Sequence, residues 1–420
     1  MDKNLKNVGD RIILTLTMFF VLVLVTVFPV KAADKPSPIT ALQQEGATSS
    51  SVKVSWSCLG GSDLRYKVEI ADQPSGNYVT VEEKRYSSPI WIYDLAPGRE
   101  YYVRVTSYTN GGGYGDTSSP IKVVTAPGKA TEKITHAKST TNTISLNWSE
   151  VQGADIYRIK YKATYGNEMV CETANTNITL KNLAKDEEYR VKILAGKKYA
   201  DGVTIAWSGN EKTIYNIPVK PSKATGVRVN YYWQNLSEIS VENSKIGCAD
   251  GYQYQLYTAY KDKDSKIKTV TTSSSSAQTY IKASALKKYN FYKVRVRAYA
   301  LNSKNEKMYG GWSSWKYVSP QPDVTKIKNN KSKKGIQISW DKIKGANRYV
   351  VYVSTKKASG YKKFQTTTKT GTVITKYGKN KLKSGKTYYF YVVPQKKVGN
   401  KYVSGLADNA NYCWSLKYKK

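Results

Sequence analysis

A leucine followed six positions later by a tyrosine recurs four times, as Leu95…Tyr101, Leu183…Tyr189, Leu286…Tyr292 and Leu382…Tyr388. From or after each tyrosine runs a period-two pattern: Tyr102-Val-Arg-Val105, Arg190-Val-Lys-Ile193, Lys293-Val-Arg-Val296 and Tyr389-Phe-Tyr-Val392. Such alternation predicts a strand with one buried and one solvated face. A chain that crosses between two sheets can anchor a tyrosine ring in the core at the start of the receiving strand, with the hydroxyl bonded to backbone upstream. The leucine is expected to plug the core at the crossover.

A second frame precedes each corner: Val52-Lys-Val-Ser-Trp56, Thr143-Ile-Ser-Leu-Asn-Trp148, Glu238-Ile-Ser-Val-Glu-Asn243 and Ile336-Gln-Ile-Ser-Trp340. Nine or ten residues later a tyrosine opens another strand, at Tyr66, Tyr157, Tyr252 and Tyr349. The early tryptophan, the next-strand tyrosine and the corner Leu95-Ala-Pro-Gly-Arg-Glu-Tyr101 together resemble the fibronectin type III domain. The second copy has Asp186 where the first has Gly98, the third has Asn243 in place of tryptophan, and the fourth lacks only the proline. The resemblance runs from about residue 36 onward. It implies an all-β chain of tandem immunoglobulin-like, seven-stranded β-sandwiches, which here would follow the N-terminal signal helix read next. This fold hosts adhesion, receptor and spacer roles, so it does not by itself name a function.

Residues 1–32 read as an export signal. Lys3, Lys6 and Arg11 precede an apolar run from Ile12 to Val30, and Val30-Lys31-Ala32 fits the small-x-small cleavage rule. The same run is long enough to act as an uncleaved anchor. The remainder divides into repeats at 33–126, 127–217, 218–321 and 322–420, with boundaries at Ala126-Pro-Gly128, Ile217-Pro-Val-Lys-Pro221 and Pro320-Gln-Pro322. Joints this short and proline-bearing lead to the expectation of an extended rod.

Cys58, Cys171, Cys248 and Cys413 fall one to a repeat, which predicts sandwiches that do not depend on internal disulfides. The inventory argues against catalysis. His136 is the only histidine and reads as a surface residue, so neither a histidine-dependent triad nor a zinc site has the residues it needs. The carboxylate pairs Glu82-Glu83 and Glu187-Glu188 read as solvated, Asp262 and Asp264 flank a lysine, and no cofactor is expected.

Charge is the most informative quantity, because it is uneven. The successive repeats carry −1, +3, +11 and +21, the last with 24 basic and 3 acidic residues. A segment of about a hundred residues with that excess repels itself and suits a polyanion. The candidate basic surface comprises Lys331, Lys333, Lys334, Lys356, Lys357, Lys362, Lys363, Lys396 and Lys397. With export, the accessible partners are an anionic cell-wall polymer or an acidic polysaccharide, with other surface proteins as further candidates. No base-reading motif points to specific nucleic acid, and membrane contact is expected only through the N-terminal segment if it is retained.

Two aromatic groups exceed what the cores need. In Ile90-Trp91-Ile92-Tyr93, an inward Ile92 turns Trp91 and Tyr93 outward. Tyr231-Tyr232-Trp233 lies where a loop is expected. Either group could serve as a glycan platform or pack on the adjacent repeat. Arg295 and Arg297 share a strand face, and Trp312-Ser-Ser-Trp315 follows, so a stabilising stack of guanidinium on indole is expected. The expectation is therefore a secreted, non-catalytic binding or adhesion protein; its lysine-rich fourth repeat, with Ile338-Ser-Trp340 and Leu382-Lys-Ser-Gly-Lys-Thr-Tyr388, resembles those appended to exported proteins of Gram-positive bacteria. The competing readings are a spacer with incidental charge and a carbohydrate-binding array for a separate enzyme.

Overall fold

The computed structural model describes residues 35–420 except 62, 112, 130, 232–236, 262, 288 and 407–412, and omits the side chains of residues 137 and 231. The N-terminal signal lies outside the described residues. Among those described, every regular element is a strand. Two compact units are present: one takes the described part of Met1–Gln43 with Ser55–Pro89 and Val103–Ile121, the other Gln44–Val54, Ile90–Tyr102 and Lys122–Lys420.

The sheets repeat one plan. In the second repeat Ile144–Trp148 lies between Ile134–Ser139 and Asn177–Leu180 in a three-stranded sheet. A five-stranded sheet runs Met169–Thr173, Ile156–Ala163, Glu188–Lys198, Ile205–Trp207, and Lys212–Pro218 also pairs with Glu188–Lys198. The other three repeats show the same order, with Glu100–Thr109, Tyr292–Leu301 and Thr387–Val398 as the central strands. Eight strands appear in each pair of sheets where seven are expected, because the final strand is interrupted and both pieces pair with the central one. A serine occupies the interruption. Its hydroxyl accepts from, and its N–H donates to, the central strand in Ser118–Val105, Ser208–Ala195 and Ser313–Val296.

The corner behaves as its spacing predicts. The hydroxyls of Tyr101, Tyr189, Tyr292 and Tyr388 accept from the backbone N–H of Ala96, Ala184, Lys287 and Lys383 at 2.6–2.9 Å. The tyrosines of the second frame repeat the device: Tyr157, Tyr252 and Tyr349 accept from Val151, Ile246 and Ile343 at 2.8–3.0 Å. Trp56, Trp148 and Trp340 meet Tyr66, Tyr157 and Tyr349 edge to face at 5.2–5.5 Å, a favoured aromatic geometry. Where the third repeat has Asn243, its Oδ1 instead accepts the Tyr254 hydroxyl at 3.0 Å. The leucines depart from expectation in part: Leu183 and Leu286 are buried, but Leu95 and Leu382 are only half-buried.

The residue three after the leucine is left-handed in all four corners: Gly98 at φ 64°, Asp186 at 60°, Tyr289 at 64° and Gly385 at 83°. That conformation is rare for a tyrosine. Three of these residues meet the next repeat. A Cβ on Gly98 would lie 2.7 Å from the Gln152 oxygen, one on Gly247 would lie 2.5 Å from the Asp186 oxygen, and Tyr289 accepts from the Lys344 N–H at 2.6 Å. Asp186 also accepts from the Ser222 N–H and hydroxyl at 2.8 and 2.6 Å. The hydroxyl of Tyr289 donates to Asp323 at 2.7 Å. A Cβ on Gly385 would have nothing within 4 Å. One apolar core runs continuously from Ile144 and Tyr189 of the second repeat through Val219 and Cys248 to Tyr254 and Val296 of the third.

Candidate functional site

His136 corrects the sequence reading, for it is buried and not on the surface. Its backbone N–H donates to the Ser303 hydroxyl and its carbonyl accepts from Ser303. The Ser139 hydroxyl donates to the Pro218 carbonyl, so the 2.7 Å bond between His136 Nε2 and Ser139 Oγ has the imidazole as donor. Burial alone lowers its pKa to about 4, so at neutral pH it is a structural residue of the contact between the second and third repeats. Burial raises the Glu188 carboxyl, with Asp250 and Glu187 adding to the rise. All four cysteines are free; Cys248 is buried, and burial pushes its thiol up to about 12. Among the described residues no cluster of histidine, cysteine and carboxylate could hold a metal.

The arginine stack is present. Arg295 lies 4.3 and 4.6 Å from the Trp312 and Trp315 rings, and Arg297 lies 4.5 Å from Trp312 and 3.7 Å from Tyr309. Gln255 and Gln253 accept from the two guanidiniums and fix their planes. Lys293 extends the stack at 4.4 Å from Trp315 and pairs with Asp264 at 2.5 Å. The tryptophans lie just before the strand Lys316–Val318.

The aromatic strand Ile90–Ile92 points as expected. Ile92 is buried, Trp91 is 38% and Tyr93 64% exposed. The two rings lie 6.4 Å apart at 30°. The indole packs beside Gly46, passing 3.4 Å from where a Cβ would stand, an ordinary contact distance. Of the other group, Tyr231 ends the strand Arg228–Tyr231, while Tyr232 and Trp233 lie outside the described residues.

The predicted basic residues do not form one patch. Lys331, Lys333 and Lys334 occupy the turn between Val324–Asn330 and Gly335–Trp340, where Asn330 Oδ1 accepts from the Lys333 N–H. Lys356 and Lys357 share a hairpin with Lys362 and Lys363 at the Ser354 end of the strand Arg348–Ser354. Lys396 and Lys397 lie at its Arg348 end, because Arg348 pairs with Gln395 and Ser354 with Tyr389. Seven residues of strand, roughly 20 Å, separate those two groups. Between them the sheet face carries aromatics, with Tyr352 stacked on Tyr391 at 5.0 Å and Arg348 over Tyr402 at 3.5 Å.

The structure adds three lysines that the sequence reading missed. A hairpin of Lys376–Tyr377 and Asn380–Lys381 sets Lys376 directly opposite Lys381, with Lys379 in the turn. Gly378 at φ 61° supplies the left-handed first position that such a two-residue turn favours. The hairpin is held by the Tyr377 hydroxyl, which donates to the Gly360 carbonyl at 2.8 Å. Lys362 lies along it, its ammonium 5.1 Å from the Tyr377 ring. Among the described residues no carboxylate pairs with Lys376, Lys379 or Lys381. The only carboxylates in 322–420 are Asp323, Asp341 and Asp408. The signal available in sequence was the Gly378 turn between two lysines.

Residues 35–124 match the fibronectin type III domain family. The chain is 26% identical over 194 residues to human receptor-type tyrosine-protein phosphatase H, an alignment covering 43% of this chain and 17% of that protein. Similar solved structures include the FN1–FN3 domains of chicken CNTN1, at 19% identity and TM-score 0.27, covering 68% of this chain and 98% of that one. A two-domain fibronectin type III segment of chicken tenascin matches at 21% identity and TM-score 0.25, covering 43% and 98%. With that match over residues 35–124, the repeated sheet order makes the protein an all-β array of tandem sandwiches of fibronectin type III fold.

Proposed function

We propose that this is an exported, non-catalytic surface-binding protein, of bacterial cell-envelope type, whose basic C-terminal repeats hold an anionic envelope polymer or acidic glycan. The observation that carries this reading is the contrast in charge neutralisation. Lysines and arginines of the first three repeats meet carboxylates, as in Arg104–Glu69 at 3.1 Å and Arg158–Glu172 at 2.8 Å. Against its 24 basic residues the fourth repeat has only 3 acidic ones. Similarity to part of a receptor supports a binding role; that relative's phosphatase activity is not carried over, since the chain spans 17% of its length. The test is retention of the mature chain on purified cell walls across a salt series, with and without their anionic polymers. Binding through many lysines falls steeply with salt and disappears when the polyanion is stripped. Retention that ignores both leaves a spacer.

A second reading is favoured by the exposure of Trp91 and Tyr93, a surface suited to the flat face of a sugar ring. Glycan binding of this kind depends weakly on salt and is lost in Trp91→Ala. Trp233→Ala tests the second aromatic group in the same assay.

A further inference from the structure

Among the described residues, lysines stand directly opposite one another in two places with different surroundings. In the second repeat Lys160 stands directly opposite Lys192, and Glu211 bridges them with one oxygen 2.7 Å from each ammonium. Like charges directly opposite on a sheet are destabilising, and the bridging carboxylate converts that repulsion into two charge-assisted hydrogen bonds. In the fourth repeat Lys376 and Lys381 face each other without a bridge, on a hairpin only two residue pairs long. Lys379 adds a third exposed ammonium at the turn, and Lys362 a fourth along Gly378. The Tyr377–Gly360 bond ties the hairpin to the segment that precedes Lys362.

We propose that this hairpin is an oxyanion clamp, in which a charged group of a linear polyanion takes the bridging place that Glu211 fills in the second repeat. This rests on the polyanion reading and locates its grip. Lysine ammoniums are compact point charges without the planar fork of arginine, so the clamp recognises charge density along a polymer and not one fixed ligand geometry. Phosphate and sulfate groups both present the two oxygens that Glu211 presents.

The test compares two charge reversals of equal size in the mature chain, Lys376→Glu and Lys369→Glu, with long-chain polyphosphate and dextran sulfate as probes. Lys369 is exposed in the bend between the strands Lys362–Thr367 and Gly371–Ile374 of the same repeat, outside the hairpin. Lys376→Glu is expected to weaken polyanion binding about fivefold more than Lys369→Glu, while the thermal midpoint without ligand stays the same or rises, since the change places a carboxylate opposite Lys381. Equal weakening by the two variants overturns the clamp but leaves the polyanion reading standing. Absence of binding by the unaltered chain overturns that reading as well. If Lys376→Glu disturbs folding, the neutral pair Lys376→Gln with Lys381→Gln, set against Lys342→Gln with Lys369→Gln, both exposed and outside the hairpin, carries the same comparison. Whichever probe binds the tighter at equal charge identifies the source of the oxyanion.

Discussion

The second and fourth sandwiches share a strand order and a corner, yet they are completed differently. In the second, Glu211 answers a facing lysine pair and the left-handed corner residue Asp186 holds Ser222 and meets Gly247. In the fourth, the facing lysines Lys376 and Lys381 stand without a carboxylate, and a Cβ on the corner glycine Gly385 would have no neighbour within 4 Å. The frame specifies the fold in both. What differs is where each repeat leaves its interactions incomplete, and that is where a partner can act.

Several substitutions sharpen or break this contrast. Asp186→Ala should cost the most, about 3 kcal/mol, because it removes two hydrogen bonds to a charged group and places a Cβ in the left-handed region without the local bonding that aspartate gives there. Chemical denaturation would check it, and a loss below about 1 kcal/mol would mean the corner does not tie the second repeat to the third. Acid comes next. His136 is neutral in the folded chain with a pKa of about 4, against about 6.5 when unfolded, so the unfolded state binds the extra proton. Stability should therefore fall as pH drops from about 6.5 to 4, by roughly 2 kcal/mol, and His136→Gln should flatten that part of the profile. Glu188, with its raised carboxyl, acts in the opposite sense, contributing stability that is lost as pH rises through its folded pKa. The difference between wild type and variant isolates the histidine.

Glu211→Gln should destabilise by about 1–2 kcal/mol, because it leaves two half-buried lysines facing each other. The lysines hold the Glu211 carboxyl low, so its contribution is present above the ordinary carboxylate range and lost as pH falls through the folded pKa. Gly385→Ala should cost only about 1 kcal/mol, the penalty of a left-handed alanine with open space around it. Gly98→Ala, which adds a clash with Gln152, should cost more; equal losses would show that the first joint yields. The smallest effect is Lys376→Glu without ligand, a gain of roughly 0.5 kcal/mol at most.

Much of the fold was legible because it rests on local frames. The tyrosine corners were readable from six-residue spacing, and the outward Trp91 and Tyr93 from strand alternation about Ile92. The basic surface was legible only as charge. Lysine doublets such as Lys362-Lys363 and Lys396-Lys397 attract notice in sequence, but pairing registers send them to opposite ends of one strand. Lys376 and Lys381, five apart and unremarkable in sequence, become neighbours through a two-residue turn. His136 misled for a related reason: it is buried, and its backbone is bonded to Ser303, 167 residues away.

The repeated strand plan, the corner bonds and the charge gradient follow from the order of residues alone, because each depends on residues near in the chain or on composition. Tertiary structure decided which charges are neutralised, which corners are covered and which lysines face each other. Those outcomes depend on register and on contacts between distant segments, which period-two patterns leave open.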